Sequence, residues 1–194
     1  MALSEPAATP GRPRDPAIDA RVREAACLEF GDVGWAGLTM DGVARRAHVG
    51  KAALYRRWPS RTALLLDALP VALATAPHTV SDDARVDLVL LVRDTTSLYA
   101  GRLGPAARRL MTEAARQPEL AAVWNGIRTR QVGAAREVVE HAVHGGRLRA
   151  DVSIGLLLEA LLGGALMHAV LAPGDDHAAH AERLVDAVAG PWLL

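Results

Sequence analysis

Apolar residues recur every three or four positions along almost the whole chain, which is the spacing of amphipathic helices. The first such helix is predicted from about residue 15 to residue 31, and its stripe consists of Ile18, Val22, Ala25, Ala26 and Phe30. Later stripes are separated by Gly and Pro, and no alternating apolar pattern is long enough for a strand. The pattern predicts an all-α protein of about nine helices.

Residues 39–58 are predicted to form two short helices joined by a tight turn at residues 47–50. Thr39 suits the N-cap of the first, because its hydroxyl can accept a hydrogen bond from the first turn. In the second, Leu54 and Trp58 lie four positions apart and are predicted to face the core. The proline after Trp58 ends this helix, since a residue before proline disfavours the helical conformation.

Six further helices are predicted to follow. Their approximate bounds are residues 61–76, 81–100, 105–117, 118–144, 152–171 and 176–189, with Ser60 capping the first and Asp151 the fifth. The longest apolar run, residues 154–171, includes Glu159 and His168 and is short for a membrane span. It is therefore interpreted as a buried helix, and no membrane association is predicted.

Charge is unevenly distributed although the formal net charge is zero. Residues 11–61 hold ten Lys/Arg and six Asp/Glu, whereas the rest of the chain holds twelve and sixteen. The basic excess coincides with the two short helices, as neutralisation of DNA phosphates requires. Cys27 is the single cysteine and is interpreted as a packing residue, in keeping with a cytoplasmic protein without a secretory signal.

The two short helices have the size and chemistry of a helix-turn-helix that places its second helix in the major groove. Small alanines would let that helix approach thymine methyl groups, while basic and hydroxyl groups would meet phosphates or guanine edges. The predicted DNA-contacting residues are Thr39, Lys51, Ala52, Ala53, Tyr55, Arg56, Arg57 and Arg61. The alternative is a helical hairpin whose basic residues form only a solvated face.

Residues 15–66 resemble the DNA-binding domain of the TetR family of transcriptional regulators. The resemblance rests on Ala25, Ala26, Phe30, Gly34, residues 38–40, Val43, Ala44, Val49, Lys51, Leu54, Tyr55 and residues 58–61. Leu-Tyr-x-x-aromatic-Pro-Ser-basic after a helix-turn-helix is the most specific part. The chain departs from the family pattern at four positions, where Glu29 replaces Leu, His48 replaces Gly, Gly50 replaces Ser and Ala53 replaces Thr. A left-handed backbone is expected at His48.

The resemblance implies an all-helical homodimer with an N-terminal three-helix DNA-binding domain and a C-terminal ligand-binding and dimerisation domain. We expect residues 1–14 to form a disordered arm, residues 15–59 to bind DNA, and residues 60–194 to bind ligand and dimerise. The arm either reaches the minor groove through its basic residues or serves as a solubilising tail. The expected function is that of a repressor, which binds an operator and is released from it by a small-molecule effector. The alternatives are an activator on the same fold, or a helical carrier or enzyme without DNA binding.

The C-terminal part carries weaker signals. Apolar and aromatic positions on helices that would surround a cavity are Tyr99, Leu103, Met111, Trp124, Ile127, Met167 and His168, although each also suits a plain core. The predicted dimer interface is a four-helix bundle that includes Leu157, Leu161, Gly164, Leu184 and Val188, with an ordinary intramolecular core as the alternative.

Two histidine pairs with i, i+3 spacing, His141 with His144 and His177 with His180, raise the possibility of zinc. No cysteine accompanies them, and exposed helical histidine pairs are common, so no metal site is predicted. No nucleophile motif, P-loop or dinucleotide fingerprint occurs in the sequence. The sequence therefore predicts neither a cofactor nor an enzymatic activity.

Overall fold

The computed structural model describes residues 16–75, 80–172, 174 and 176–194, and these contain nine α-helices and one 3-10 turn. The helices are α1 (Pro16–Gly37), α2 (Met40–Ala47), α3 (Lys51–Tyr55), α4 (Arg61–Ala72), α5 (Ala84–Ala100), α6 (Gly104–Glu113), α7 (Pro118–His144), α8 (Ile154–Leu171) and α9 (His177–Val188). The 3-10 turn is Gly190–Trp192, and an isolated bridge joins Leu148 to Leu193. The all-α prediction is confirmed. The predicted N-terminal arm lies outside the described residues.

Some helix boundaries differ from the predicted ones. Helix α1 continues past Gly31 to Gly37, through a kink at Gly34, whose φ of 72° and ψ of −179° are non-helical. Helix α3 ends at Tyr55, yet Trp58 remains buried beyond it. Periodicity alone did not locate the ends of these two helices. A buried residue in a turn can fall on the same apolar stripe as the buried residues of the helix before it.

Two helices begin a few residues later than predicted. Helix α5 begins after Asp83, whose side chain accepts a hydrogen bond from the Val86 amide at 3.0 Å. Helix α8 follows Ser153, which makes no side-chain capping bond. Asp151, the predicted cap, instead pairs with Arg149 at 2.7 Å.

The first hydrophobic core lies between α1–α4 and the adjoining parts of α5, α6, α7 and α8. Its largest fully buried side chains include Phe30, Leu38, Leu54, Leu64 and Leu110. Burial of each such side chain stabilises the fold by about 1.5–3 kcal/mol. The core runs without a break from the helix-turn-helix into the helices that follow it, so the two parts of the chain are packed against each other.

Polar contacts reinforce this packing where α6 meets the kink of α1. The Arg109 guanidinium donates from Nε to the Gly31 carbonyl at 2.8 Å, and Glu113 accepts a hydrogen bond from the Trp35 amide at 2.9 Å. Gly34 lies directly beneath these two side chains. The kink thus opens two backbone groups of α1 to side chains of α6.

The second core lies between α5, α7, α8 and α9 and includes Leu88, Val139, Leu161 and Val185. Asp87 is buried at its edge, where both carboxylate oxygens accept a hydrogen bond from the Ser81 amide at 3.0–3.1 Å. This contact provides part of the hydrogen bonding that a buried carboxylate needs.

Helix α8 is apolar over most of its circumference, with Glu159 as its one acidic residue, and only one side of it is buried. Leu157, Leu158 and Leu161 face the second core. The opposite side, here called the α8 outer face, is exposed and consists of Leu156, Ala160, Gly163, Met167, Val170 and Leu171. Among the described residues, α8 is the one helix long and apolar enough to cross a bilayer by length and composition, and it packs on α5 and α9. The prediction of a buried helix therefore holds for half of its surface.

Candidate nucleic-acid interface

Helix α2 and its turn have the geometry that the sequence predicts. Thr39 has extended backbone and its side chain accepts a hydrogen bond from the Gly42 amide at 3.0 Å. His48 ends the helix in the left-handed conformation, with φ 54° and ψ 47°. The Val49 amide then donates to the Ala44 carbonyl at 3.0 Å, which closes the turn and sets the direction of α3.

Helix α3 is fixed by its buried residues and by one carboxylate of α4. Leu54 and Trp58 are buried, and the Trp58 indole Nε1–H donates to Asp67 at 2.9 Å. Asp67 also accepts a hydrogen bond from Arg23 of α1 at 2.8 Å. Sequence reasoning missed Asp67, although it is the single acidic residue in the otherwise apolar α4.

Four of the predicted contact residues share the exposed side of α3. Lys51, Ala52, Tyr55 and Arg56 are all exposed, and they are called here the reading face. Thr39 is exposed as well and lies at the start of α2. Lys51 reaches back to this end of α2, where it pairs with Asp41 at an Nζ–Oδ2 distance of 2.5 Å. The structure thus brings five of the eight predicted residues onto one surface.

Arg57 and Ala53 lie away from the reading face. Arg57 Nε pairs with Asp19 of α1 at 2.5 Å, and both side chains are largely buried. Ala53 is half-buried at the edge of α3. Arg57 is directed toward α1, where its ion pair helps to hold the end of α3 in place.

Arg61 binds the end of α1. Its Nη1 donates to the carbonyls of Trp35 at 3.0 Å and Leu38 at 2.7 Å, and its guanidinium lies 4.8 Å from the centre of the Trp35 ring. A cation at these carbonyls satisfies acceptors that helix ends leave without partners. The structure therefore gives Arg61 a positioning role in the fold.

Glu29, one of the departures from the family pattern, has defined partners. Its carboxylate pairs with Arg46 of α2 at 2.9 Å, and the Cβ of any residue replacing Gly42 would lie 2.4 Å from it. Arg46 also contacts Asp32 at 2.5 Å. This network fastens α2 to α1 on the side away from Cys27. Burial, followed by the charge of Glu24, raises the pKa of the Cys27 thiol to about 12, as a packing role implies.

Sequence reasoning left out a further cation, which lies beside the reading face. Arg45, in the last turn of α2, is exposed and makes no ion pair among the described residues. Arg56 is likewise without an ion-pair partner in that part of the chain. The sequence could have indicated Arg45 as a contact residue, because it lies on the polar side of α2, opposite Val43 and Ala47.

A cavity of about 220 Å³ lies between α5, α7 and α8. Its lining residues are Thr75, Leu91, Asp94, Thr95, Leu98, Tyr99, Trp124, Arg128, Gln131, Val132, Ala134, Leu162, Gly163 and Leu166. Tyr99 and Trp124 are the two predicted pocket residues among them. The cavity lies next to the C-terminal end of α4, where Gln131 donates from Nε2 to the Leu73 carbonyl at 3.2 Å.

The other predicted pocket residues lie elsewhere. Ile127 lines a neighbouring depression beside Leu73, Leu103 packs against the first core, and Met111 is half-buried on α6. Met167 belongs to the α8 outer face. His168 stacks on His180 with ring centres 3.6 Å apart, and its Nε2 lies 3.3 Å from Nδ1 of His177. None of these five residues is among those that line the cavity.

The two histidine pairs also separate in the structure. His141 and His144 are exposed on α7, and His144 Nδ1 lies 2.7 Å from the Glu140 carbonyl oxygen. His177 and His180 contact His168 as described above. No group of three or more His, Cys, Asp or Glu side chains within the described ranges has an arrangement that could hold a metal ion.

The predicted dimer residues face the interior of a single chain. Leu157 and Leu161 are buried in the second core, which corresponds to the intramolecular alternative. Gly164 admits the side chain of Leu184, since a Cβ at Gly164 would lie 2.8 Å from a Leu184 methyl. Val188 is half-buried against the same core. The dimer residues stay a prediction, and what the single chain shows is that Leu157 and Leu161 of α8 pack inward.

A helix-turn-helix with an exposed basic face, packed on a helical body that holds a cavity, is the architecture of a ligand-responsive DNA-binding regulator. Residues 22–68 match the family described as "Bacterial regulatory proteins, tetR family", and residues 80–188 match "Tetracyclin repressor-like, C-terminal domain". The second match alone covers more than half of the chain. The chain belongs to the TetR family of transcriptional regulators.

Individual relatives agree with this assignment. The HTH-type regulator YdeS of Bacillus subtilis is 26% identical over 169 residues, which cover 86% of this chain and 84% of the relative. The HTH-type transcriptional regulator AqdR of Rhodococcus erythropolis is 29% identical over 156 residues, covering 80% and 72%. The crystal structure of FadR from Bacillus subtilis with stearoyl-CoA has a TM-score of 0.67 at 16% identity, covering 87% of this chain and 96% of FadR. The family consists of soluble transcriptional regulators that bind operator DNA and small molecules.

Proposed function

We propose that this chain is a cytoplasmic repressor that binds its operator as a homodimer and leaves it when a small molecule enters the cavity between α5, α7 and α8. Residues 15–59 form the DNA-binding part and residues 60–194 the ligand-binding and dimerisation part. The observation that carries the proposal is the reading face. Its cations lie on the exposed side of a short helix whose opposite side is held by Leu54, Trp58 and Asp67.

We assign the DNA contacts to the reading face, to Thr39 and to the neighbouring Arg45. Lys51, Arg56 and Arg45 supply positive charge, and the Tyr55 hydroxyl supplies a hydrogen-bond donor. Arg57 and Arg61 act indirectly in this proposal, because their half-buried guanidinium groups bind Asp19 and the end of α1, whereas the pair of Lys51 with Asp41 is exposed. They orient the helices that carry the contacts.

Binding to the DNA upstream of the protein's own gene tests this assignment. We expect Lys51→Ala and Arg56→Ala each to lower affinity for all sequences. Each should also reduce the slope of log K against log salt by about 0.9 when one phosphate contact is lost. Arg116→Ala is the matched control, because Arg116 is exposed in the turn between α6 and α7, outside the helix-turn-helix. An unchanged affinity and salt slope in both variants would remove the reading face from the interface.

The homodimer is assigned to the α8 outer face. Leu156, Met167 and Leu171 are 66%, 57% and 74% exposed, and together with the small residues between them they form an apolar strip with the exposed Glu159 at its edge. Such a strip favours association, since exposed apolar patches of this kind mark interaction surfaces. A two-fold axis across it would pair two reading faces, and one operator half-site would then meet each copy.

Contacts along α4 supply a route from the cavity to the DNA-binding part. At its C-terminal end, the Leu73 carbonyl accepts a hydrogen bond from Gln131, which lines the cavity. Nearer its start, Asp67 holds Trp58 and Arg61 holds the end of α1. A ligand that moves Gln131 would therefore shift a helix that fixes the orientation of α3. We propose that this shift favours a dimer whose reading faces no longer match the operator.

Repression is distinguished from activation by a reporter assay in which the gene for this protein is present or deleted. We expect expression from the regulated promoter to rise on deletion and on addition of the effector. A fall in expression on deletion would identify an activator that uses the same fold.

A further inference from the structure

We propose that the effector is a small, uncharged molecule with one aromatic ring and a hydrogen-bond-accepting oxygen. This inference rests on the proposed function, because it takes the cavity between α5, α7 and α8 as the effector site. It adds the chemical class of the ligand, which follows from the size, the walls and the polar groups of the cavity.

The cavity is small. Its volume of about 220 Å³ lies below the roughly 300–1,000 Å³ of pockets that hold drug-sized ligands. An engineered apolar protein cavity of about 150 Å³ binds benzene. A single ring with one short substituent therefore fits, whereas a long acyl chain requires more room than these walls leave.

The walls are mostly apolar. Leu91 and Leu98 of α5, Val132 of α7, and Leu162 and Leu166 of α8 surround the space. Contact with these side chains favours a hydrocarbon body, at about 25 cal/mol for each Å² of apolar surface removed from water. A strongly hydrated ligand would exchange much of its water for these apolar side chains, at a cost in free energy.

Two aromatic donors lie in these walls. Tyr99 is only 7% exposed as a residue, and no hydrogen bond joins its hydroxyl or the Trp124 indole N–H to another described residue; neither atom is among the fully buried unpaired polar atoms, so a bound molecule can reach both. The indole N–H can only donate, and burial raises the pKa of Tyr99, so its hydroxyl remains a donor at neutral pH. A carbonyl or ether oxygen offers lone pairs to both groups, whereas a pure hydrocarbon leaves both unsatisfied.

The charged residues of the cavity favour an uncharged ligand. Asp94 and Arg128 both line it and are exposed at its edge, so opposite charges are present at the entrance. A carboxylate would be attracted by Arg128 and repelled by Asp94, and an ammonium group would meet the reverse. Neither ionic class gains the consistent attraction that a charge-selective site provides.

Calorimetric titration of the full-length protein in the absence of DNA tests the class. Acetophenone is the probe, and α-methylstyrene is its control, because a CH₂ group replaces the carbonyl oxygen at nearly the same shape. Benzoate, benzyltrimethylammonium and octanoate represent the anionic, cationic and aliphatic classes. We expect acetophenone to bind at least about tenfold more tightly than each of the others, the loss expected when a ligand covers two donors and leaves them unpaired.

Variants locate the binding in the cavity. Tyr99→Phe should weaken acetophenone binding roughly five- to tenfold and leave α-methylstyrene binding unchanged, whereas Thr112→Val, which removes an exposed hydroxyl on α6, should alter neither. Ala134→Leu fills the cavity and should abolish binding. Ala122→Leu on the exposed side of α7 is its control.

The proposal is overturned if octanoate or either ion binds more tightly than acetophenone, if no probe binds up to its solubility limit, or if Tyr99→Phe affects both neutral probes equally. These outcomes are separable from failure of the regulator role, since no DNA is present in the titration. A protein that binds its upstream DNA but none of the aromatic probes would keep its role and lose this ligand class. A protein that binds acetophenone but not DNA would keep this ligand class and lose the regulator role.

Discussion

Gly50 precedes α3 at the position where a capping side chain would normally stand. Its backbone is extended, with φ −70° and ψ 140°, and α3 has no side-chain cap. A Cβ at this position would have open space around it. Gly50 is therefore tolerated here without being required by the backbone.

We expect Gly50→Ser to stabilise the protein by about 0.5–1 kcal/mol, because the hydroxyl can cap α3 and the unfolded chain loses freedom. Urea unfolding at neutral pH measures the change. Gly50→Ala separates the two causes, since it restricts the unfolded chain but offers no cap. Equal stabilities for the serine and alanine variants would rule out the capping contribution.

Gly34 has the opposite character. Its φ of 72° lies in the left-handed region, and a Cβ there would lie 2.7 Å from both Arg109 Nη1 and Glu113 Oε1. We expect Gly34→Ala to destabilise the protein by about 1–3 kcal/mol, through backbone strain and displacement of the α1–α6 contacts. The midpoint of thermal or urea unfolding reports the loss. A variant as stable as the parent would show that the kink of α1 does not depend on glycine.

At the scale of single helices, α9 is held at its start by the Asp176 carboxylate. This side chain accepts hydrogen bonds from the amides of Ala179 at 3.1 Å and Ala178 at 3.0 Å. These bonds hold the pKa of Asp176 below its ordinary value. The stability that Asp176 contributes is therefore present in full above that ordinary value, and it is lost as the pH falls through the lowered pKa.

Asp176→Asn removes the charge and keeps an oxygen that can cap the helix. We expect its unfolding midpoint to fall less than that of the parent protein on acidification from about pH 5 to about pH 2. Glu137→Gln, an exposed carboxylate on α7, is the control and should follow the parent curve. Parallel curves for the parent and Asp176→Asn would contradict the assignment of the charge to the cap.

Sequence pattern predicted the order of the helices well and their ends less well. The turn between α2 and α3 was predictable, because Thr39, Leu54 and the left-handed His48 each have a local cause. The end of α1 was not. Gly34 reads as a helix stop, yet α6 supplies Arg109 and Glu113 to the opened backbone, so the helix resumes beyond the kink.

At the scale of the whole molecule, the α8 outer face is an apolar surface that one chain leaves uncovered. We expect Leu156→Glu to convert a dimer into a monomer, raising the dimer dissociation constant roughly a hundredfold, because a two-fold interface presents the substitution twice. Leu156 is 66% exposed, so a glutamate there is compatible with folding of the single chain. Analytical ultracentrifugation measures the change.

Leu90→Glu is the matched control, since Leu90 is a 40% exposed leucine on α5 outside the α8 outer face. It should leave the association state as it is. If Leu156→Glu is as dimeric as the parent while its helical content is unchanged, the two-fold axis lies on another surface of the molecule.

By itself, the sequence determined that the chain is all-helical, that residues 39–58 form a helix-turn-helix, and that this unit has the TetR pattern. These properties depend on periodicity, caps and turn residues, which act between neighbours along the chain. It also selected Tyr99 and Trp124 for the cavity, as aromatic residues on adjoining helices.

Only the tertiary structure decided which side of each helix is used. Arg57 and Arg61 are basic like Lys51 and Arg56, but they bind Asp19 and the end of α1 because those groups come within reach only after folding. Leu157 and Leu161 are apolar like Leu156, but the packing of α5 and α9 buries them and leaves Leu156 exposed. Local pattern identifies the type of residue on a helix, whereas its partners are set by contacts between residues distant in the chain.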